Sequence, residues 1–215
     1  MGCAESKELT AERIVEGLKA ALDLAVRETV KQLGSAGGFN DNPALHISIP
    51  DTLGEVMDKC KSLPGIGGEV EDFEKKMNEA AEAAAGSCAD IFSNALNQLN
   101  FQDAKSILEG ADDAATKIFR EVLGGELLEK FGPIVKDKMS ELGVVSVFEK
   151  ITDAFAAIPL IGKKVEFDLY TYVCEKAFEG FFSVLAEFEG KVRNTPAMRE
   201  SNQVLEEVFG SKKKQ

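Results

Sequence analysis

Apolar side chains return at steps of three and four residues along nearly the whole of this 215-residue chain, a period that commits it to helices. The first run is the clearest. Ile14, Leu18, Leu22, Val26, Val30 and Leu33 form one stripe, Thr10 is placed to cap its start, and Gly34 to end it. A shorter helix follows with Leu53, Val56, Met57 and Cys60, capped by Asp51 or Thr52. The next runs over residues 69–85, with Val70, Phe73, Met77, Ala80, Ala81 and Ala84 on its buried side. Its alanine-rich end favours helix and permits close helix approach. Ser87 is read as the start of a helix reaching Leu99. Asn100 is read as the cap of another, with Asp103 set against the helix dipole, and Asp112 as the opening of a third. Gly124-Gly125 should break that third helix, and Pro133 should kink or restart residues 126–142. Residues 144–158 repeat the helical period. Asp168 caps a long helix to about Val192, and Val204, Leu205, Val208 and Phe209 mark a last short one.

One stretch departs from the pattern. Residues 35–50 hold the turn chemistry Gly37-Gly38-Phe39-Asn40-Asp41-Asn42-Pro43, and then Leu45-His46-Ile47-Ser48-Ile49 alternates apolar with polar. That alternation suits an extended segment, but no partner strand is visible. The expected fold is all-α: a single multi-helix, bundle-like domain with short connections over residues 10–210. Residues 1–9 form a flexible, acylated N-terminal segment, and residues 211–215 a disordered lysine tail.

Charge and cysteine usage narrow the functional classes. Thirty-seven acids against 25 bases give a net charge of −12, which argues against nucleic-acid binding because phosphate contacts need a basic face. Four cysteines without a CxxC pair do not describe a zinc site or a disulfide scaffold. No run approaches the roughly 18 apolar residues of a membrane span, and residues 1–13 hold no secretory signal core.

The amino terminus carries the most specific motif. Met1-Gly2-Cys3-Ala4-Glu5-Ser6-Lys7 fits the N-myristoylation pattern, in which the acyl chain goes onto the amine of Gly2 once Met1 is removed. One myristoyl chain gives only marginal, reversible membrane binding, so a second signal is needed. Cys3, directly beside Gly2, can supply it as a palmitoyl thioester. A polybasic patch cannot, since Glu5 and Glu8 offset Lys7.

Several phrases are also familiar as a set. Residues 17–42 lead to Pro43 and Ile49-Pro50. MNEAAEAA follows at 77–84, then Phe101-Gln102-Asp103-Ala104-Lys105-Ser106-Ile107-Leu108 and Asp112-Asp113-Ala114-Ala115-Thr116. Glu129-Lys130-Phe131-Gly132-Pro133-Ile134-Val135 comes next, then Asp168-Leu169-Tyr170-Thr171-Tyr172-Val173, the run Lys176–Phe182, and finally Glu189, Arg193, Pro196 and Val208-Phe209-Gly210. In this order and spacing the chain resembles the domain-of-unknown-function family DUF4197 over about residues 14–210. That family is best represented by exported bacterial proteins of similar length. The resemblance implies one all-helical domain and no activity. The start departs from the bacterial pattern, with an acylation-type terminus where an export signal would stand.

The remaining constellations each have a plain reading. His46 is the sole histidine and stands without a nucleophile motif, which favours a structural or surface role. Cys60, Cys88 and Cys174 fall at apolar positions and read as small core residues. Asp112-Asp113 with Thr116, together with Asp103, can cap helices or serve as paired carboxylates around a divalent cation. Gly65-Ile66-Gly67-Gly68 lacks the lysine of a phosphate loop. Fourteen phenylalanines accompany two tyrosines and no tryptophan. Phe178, Phe181, Phe182 and Phe188 crowd one helix; with Phe148, Phe155 and Leu185 they either pack the core or line a cavity for an apolar ligand. Leu160-Ile161, followed by Gly162-Lys163-Lys164, forms an apolar tip with two bases, suited to an anionic membrane surface or to ordinary loop burial.

The functional expectation is therefore a non-catalytic, lipid-anchored peripheral protein at the cytosolic face of a membrane. It is held by chains on Gly2 and Cys3 and binds lipid, another apolar ligand or a protein partner. No metal, cofactor or catalytic residue is expected. The alternatives are a carboxylate–metal enzyme built on Asp103, Asp112 and Asp113, and a packed scaffold with no ligand.

Overall fold

The computed structural model describes residues 9–102 and 104–210; Gly2, Cys3, Asp103 and the lysine tail lie outside the described residues. The described chain is all-α. Its helices are α1 (Ala11–Leu33), α2 (Asp51–Lys61), α3 (Gly67–Gly86), α4 (Ala89–Gln98), α5 (Ala104–Glu109), α6 (Ala114–Glu141), α7 (Val144–Ala156), α8 (Leu169–Asn194) and α9 (Gln203–Phe209), with a 3-10 turn at Pro196–Met198. The chain divides into two compact units. Unit 1 takes the chain up to Thr29, Asp90–Leu127, and the chain from Phe182 onward. Unit 2 takes Val30–Ala89 and Leu128–Phe181.

In unit 1 the predicted stripe of α1 is the buried one, with Ile14, Leu18, Leu22 and Val26 withdrawn from solvent. Thr10 does cap it, its Oγ1 accepting from the Arg13 N–H at 3.2 Å. Gly17 lets α9 come close, since a Cβ there would stand 2.5 Å from Val208 Cγ2. Phe92 of α4, Phe119 of α6 and Phe182 of α8 form a closed triangle of rings, with centroids 5.9–6.4 Å apart. Each buried ring contributes roughly 1.5–3 kcal/mol from loss of apolar surface, and each ring pair about 0.5–1.5 kcal/mol more.

A charged cluster fixes the helix ends of unit 1. Glu189 of α8 is fully buried, and its carboxylate accepts from the Ala115 N–H at 3.1 Å and the Thr116 N–H at 2.7 Å, at the start of α6. Arg193, one turn on, pairs with Glu189 at 2.7 Å and donates to the carbonyls of Ile107 and Leu108, which end α5. Arg199 donates to the Val192 and Arg193 carbonyls that end α8, both at 2.9 Å. Free N–H and C=O groups at buried helix ends must find partners, and here long side chains from elsewhere provide them. The cap expected from Asp112 is thus taken over by Glu189, and α6 starts at Ala114.

In unit 2, α2, α3 and α7 pack pairwise. Their shared core holds Leu53, Met57, Phe73, Met77, Val147, Ile151 and Phe155, and the Cys60 thiol points at the Ile151 carbonyl at 3.4 Å. Gly34 meets Gly86 so closely that a Cβ on Gly34 would stand 2.6 Å from the Gly86 Cα; the small residues at the end of α3 make this possible. The alternating segment 45–49 has no strand partner among the described residues. Three α3 side chains at helical spacing take its place. Glu82 accepts from the Phe39 and Asn40 N–H groups, and Asn78 bonds both N–H and C=O of Ile47. Glu74 accepts from the Ile49 N–H at 2.8 Å.

Several expected boundaries move. Helix α6 runs unbroken through Gly124-Gly125 and Pro133. Glycine weakens a helix interior by roughly 1 kcal/mol against alanine, but Phe119, Leu123, Leu127 and Phe131 are all buried at helical spacing, and that burial outweighs it. Pro133 is exposed, on the solvent side of the helix. Ser87 ends α3 rather than starting α4, which begins at Ala89, and α2 is preceded by Pro50 with no side-chain cap. Asp168 caps α8 as expected, accepting from the Thr171 N–H at 3.0 Å, which holds its carboxyl below the ordinary pKa.

Two stability outcomes follow. Arg193→Met should cost roughly 3–5 kcal/mol in urea unfolding because it strands a buried carboxylate, and adding Glu189→Gln should recover part of that loss. Gly125→Ala, at a helical position where a Cβ meets nothing within 4 Å, should raise stability by about 0.4–1 kcal/mol in the same assay.

Candidate functional site

The residues proposed to line an apolar site are distributed over both units. Phe148, Phe155, Phe178 and Phe181 belong to unit 2; Phe182, Leu185 and Phe188 belong to unit 1. In unit 2, Phe148 is half-buried. It stacks on Phe73 at 5.7 Å between centroids and meets Phe167 edge-on at 6.4 Å, and Phe167 in turn meets Tyr172 at 5.6 Å. Phe178 packs against Phe131 at 6.2 Å, and Phe155 and Phe181 are fully buried. In unit 1, Phe182 completes the ring triangle and carries the Arg120 guanidinium 5.5 Å from its centroid, while Lys191 sits 4.3 Å above Phe188. Ring-on-ring and cation-on-ring contacts of this kind are how a phenylalanine-rich interior packs.

Three clefts are lined by other residues. A cleft of about 740 Å³ in unit 1 is lined by Phe101, Ile107, Ile118 and Val122 among polar residues such as Gln98 and Glu121, and Val122 is 59% exposed. In unit 2 a cleft of about 660 Å³ lies between the α2–α3 turn and the loop after α7, lined by Lys59, Leu63, Ile158 and Ile161 with Glu55 and Asp58. A smaller one, of about 210 Å³, is lined by Gly132, Tyr170 and Cys174.

The chemically capable side chains are held in structural contacts. His46 bonds the Asn40 carbonyl through Nδ1 at 2.9 Å and the Glu74 carboxylate through Nε2 at 2.8 Å. Both partners are acceptors, so both ring nitrogens are called on to donate and the charged imidazolium fits best. The Glu74 hydrogen bond accordingly raises the His46 pKa, against a partial opposing effect of burial. Burial lifts the thiols of Cys60, Cys88 and Cys174, the last two to about 12 and about 11, which keeps them protonated and unreactive near neutrality. Asp113 pairs with Lys117 at 3.0 Å, and among the described residues no group of three His, Cys, Asp or Glu is placed to hold a metal ion. No helix among them is long and apolar enough to cross a membrane.

Sequence reasoning gave no role to the polar groups that tie the helix ends and the 39–49 segment: Glu74, Asn78, Glu82, Glu189, Arg193 and Arg199. A signal was available for some of them. Glu189 lies four residues from Leu185 and three from Val192, on the buried stripe of α8, where a charge has to be paired.

Taken together, these features define an all-α protein of helices locked by buried polar ties. The family model for Protein of unknown function (DUF4197) matches residues 8–210, and the chain belongs to that family. No curated protein and no solved structure matches it.

The histidine gives a pH-dependent outcome. A raised folded-state pKa means that the His46 contribution is fully present below the unfolded value of 6.5 and is lost as pH rises through the folded value. NMR titration should place the imidazole pKa above 6.5 and show it falling in Glu74→Gln, and the stability advantage of the parent over His46→Gln should shrink on going from pH 6 to about pH 9.

Proposed function

We propose that the chain is a non-catalytic peripheral protein, tethered to the cytosolic face of a membrane by acyl chains on Gly2 and Cys3. The observation that carries this reading is the start Met1-Gly2-Cys3-Ala4-Glu5-Ser6-Lys7, in which the acceptor amine, the residue at the fixed offset and an adjacent thiol coincide. Two chains meet the requirement for stable attachment that one does not. The packing of the domain supports the non-catalytic part. His46 is tied at both ring nitrogens, Cys60, Cys88 and Cys174 are buried thiols, and Asp113 is paired with Lys117.

A second reading gives the tethered domain an apolar ligand such as lipid, or a protein partner. The unit 1 cleft favours it, because about 740 Å³ falls within the usual size of a small-molecule pocket. On the ligand reading Phe101, Ile107, Ile118 and Val122 of that cleft supply the apolar contact. Lipid extraction of protein purified from its own cells tests this, and extracts free of lipid would end it.

The tether is tested by intact mass and fractionation. Material from the native cell should carry the mass of added fatty chains. After a high-salt wash, Gly2→Ala should move the protein to the soluble fraction, and Cys3→Ser should weaken its retention. An unmodified mass together with unchanged fractionation of both variants would end the tether reading.

A further inference from the structure

The loop after α7 is built to display an apolar side chain. The Ile158 N–H bonds the Phe155 carbonyl at 3.1 Å, and the Gly162 N–H then closes a five-residue turn onto the Ile158 carbonyl at 2.9 Å. Gly162 is required there, since a Cβ would meet the carbonyl oxygens of Phe155, Ala156 and Ile158 at 2.5–2.6 Å. Pro159 fixes its own φ. At the apex Leu160 takes φ 71°, in the left-handed region that disfavours any side chain, and is fully exposed at 106% of its reference area. Ile161 beside it is 45% exposed. A large aliphatic residue thus carries backbone strain without gaining burial, although glycine would relieve the strain. Such an outlier is a reason to look for something outside the chain.

The charges around the apex indicate what that is. The unit 2 cleft joins this loop to the α2–α3 turn through Leu63, Ile158 and Ile161. Residues 59–68 and 157–165, the two segments that build this end, hold Lys59, Lys61, Lys163 and Lys164 and no acid, in a chain whose net charge is −12. The acids around them are Glu55 and Asp58 on the cleft wall, Glu69, which pairs with Lys150 at 2.9 Å, and Glu166, which lies 3.6 Å from the 85%-exposed Lys164. Charges beyond about 8–10 Å are screened at physiological salt, so Lys163 and Lys164 beside the apex, and not the acidity of the whole chain, set the charge that the loop presents.

We propose that this end of unit 2 docks on an anionic bilayer surface, with Leu160 and Ile161 entering the headgroup layer and the four lysines facing lipid phosphates and carboxylates. The contact goes beyond the acyl tether and stands whether or not Gly2 is modified.

The test uses the full chain carrying Gly2→Ala and Cys3→Ser, which lacks both acyl sites, in flotation with vesicles of phosphatidylcholine alone and of phosphatidylcholine with phosphatidylserine. Binding should appear on the anionic vesicles and fall with salt. Leu160→Asp should weaken it by about tenfold or more, and so should Lys163→Glu with Lys164→Glu. Leu160→Gly separates fold from surface, since relief of the left-handed strain should keep or raise thermal stability while vesicle binding still drops. Equal recovery on both vesicle types, or full binding by Leu160→Asp, would overturn the proposal. So would a parent that is dimeric and lipid-indifferent and that Leu160→Asp converts to a monomer, because the loop would then contact a second copy. Because every arm lacks the acyl sites, failure here leaves the tether to its own mass measurement.

Discussion

Backbone N–H and C=O groups withdrawn from water must be paired, and in this chain the irregular segments pair only part of theirs through their own turns. Helical side chains pair others. In unit 2 one edge of α3 holds the 39–49 segment through Glu74, Asn78 and Glu82, in place of a neighbouring strand. In unit 1 Glu189 closes the start of α6, Arg193 the end of α5, and Arg199 the end of α8. These groups are costly to bury singly and sound when mutually satisfied, so the apolar packing around them is tied to one arrangement of helix ends.

This division explains what could be read from the sequence. The stripes of α1, α2, α3 and α7 were legible because a buried helix face repeats its own signal every turn. The glycine pair in α6 was misleading because local propensity, worth roughly 1 kcal/mol per residue, yields to several buried side chains on the same stripe. Asp112 looked like a cap because caps are usually local, whereas the carboxylate used comes from residue 189, and sequence distance hides such a partner. His46 reads from the sequence as structural or surface, and that two acceptors face its two nitrogens could only be seen once Asn40 and Glu74 were placed.

The candidate functional surface was legible in a different way. The Leu160-Ile161-Gly162-Lys163-Lys164 run is visible as composition, but two readings of it, burial and display, remained equal until the backbone showed Leu160 left-handed and outside the packing. The phenylalanines followed the opposite course. Their abundance suits a packed core or a lined cavity, and the rings are found largely against one another or under cations. Phenylalanine has no polar atom to betray its setting, so number alone does not separate a packed interior from a hollow one.

The spacing of Glu74, Asn78 and Glu82 makes α3 a ruler. Three tines four residues apart lie along one edge only because each step nearly completes a turn; inserting a single residue between them would swing the following tine through about 100°. Chain-length variation among relatives should therefore be excluded from residues 75–81.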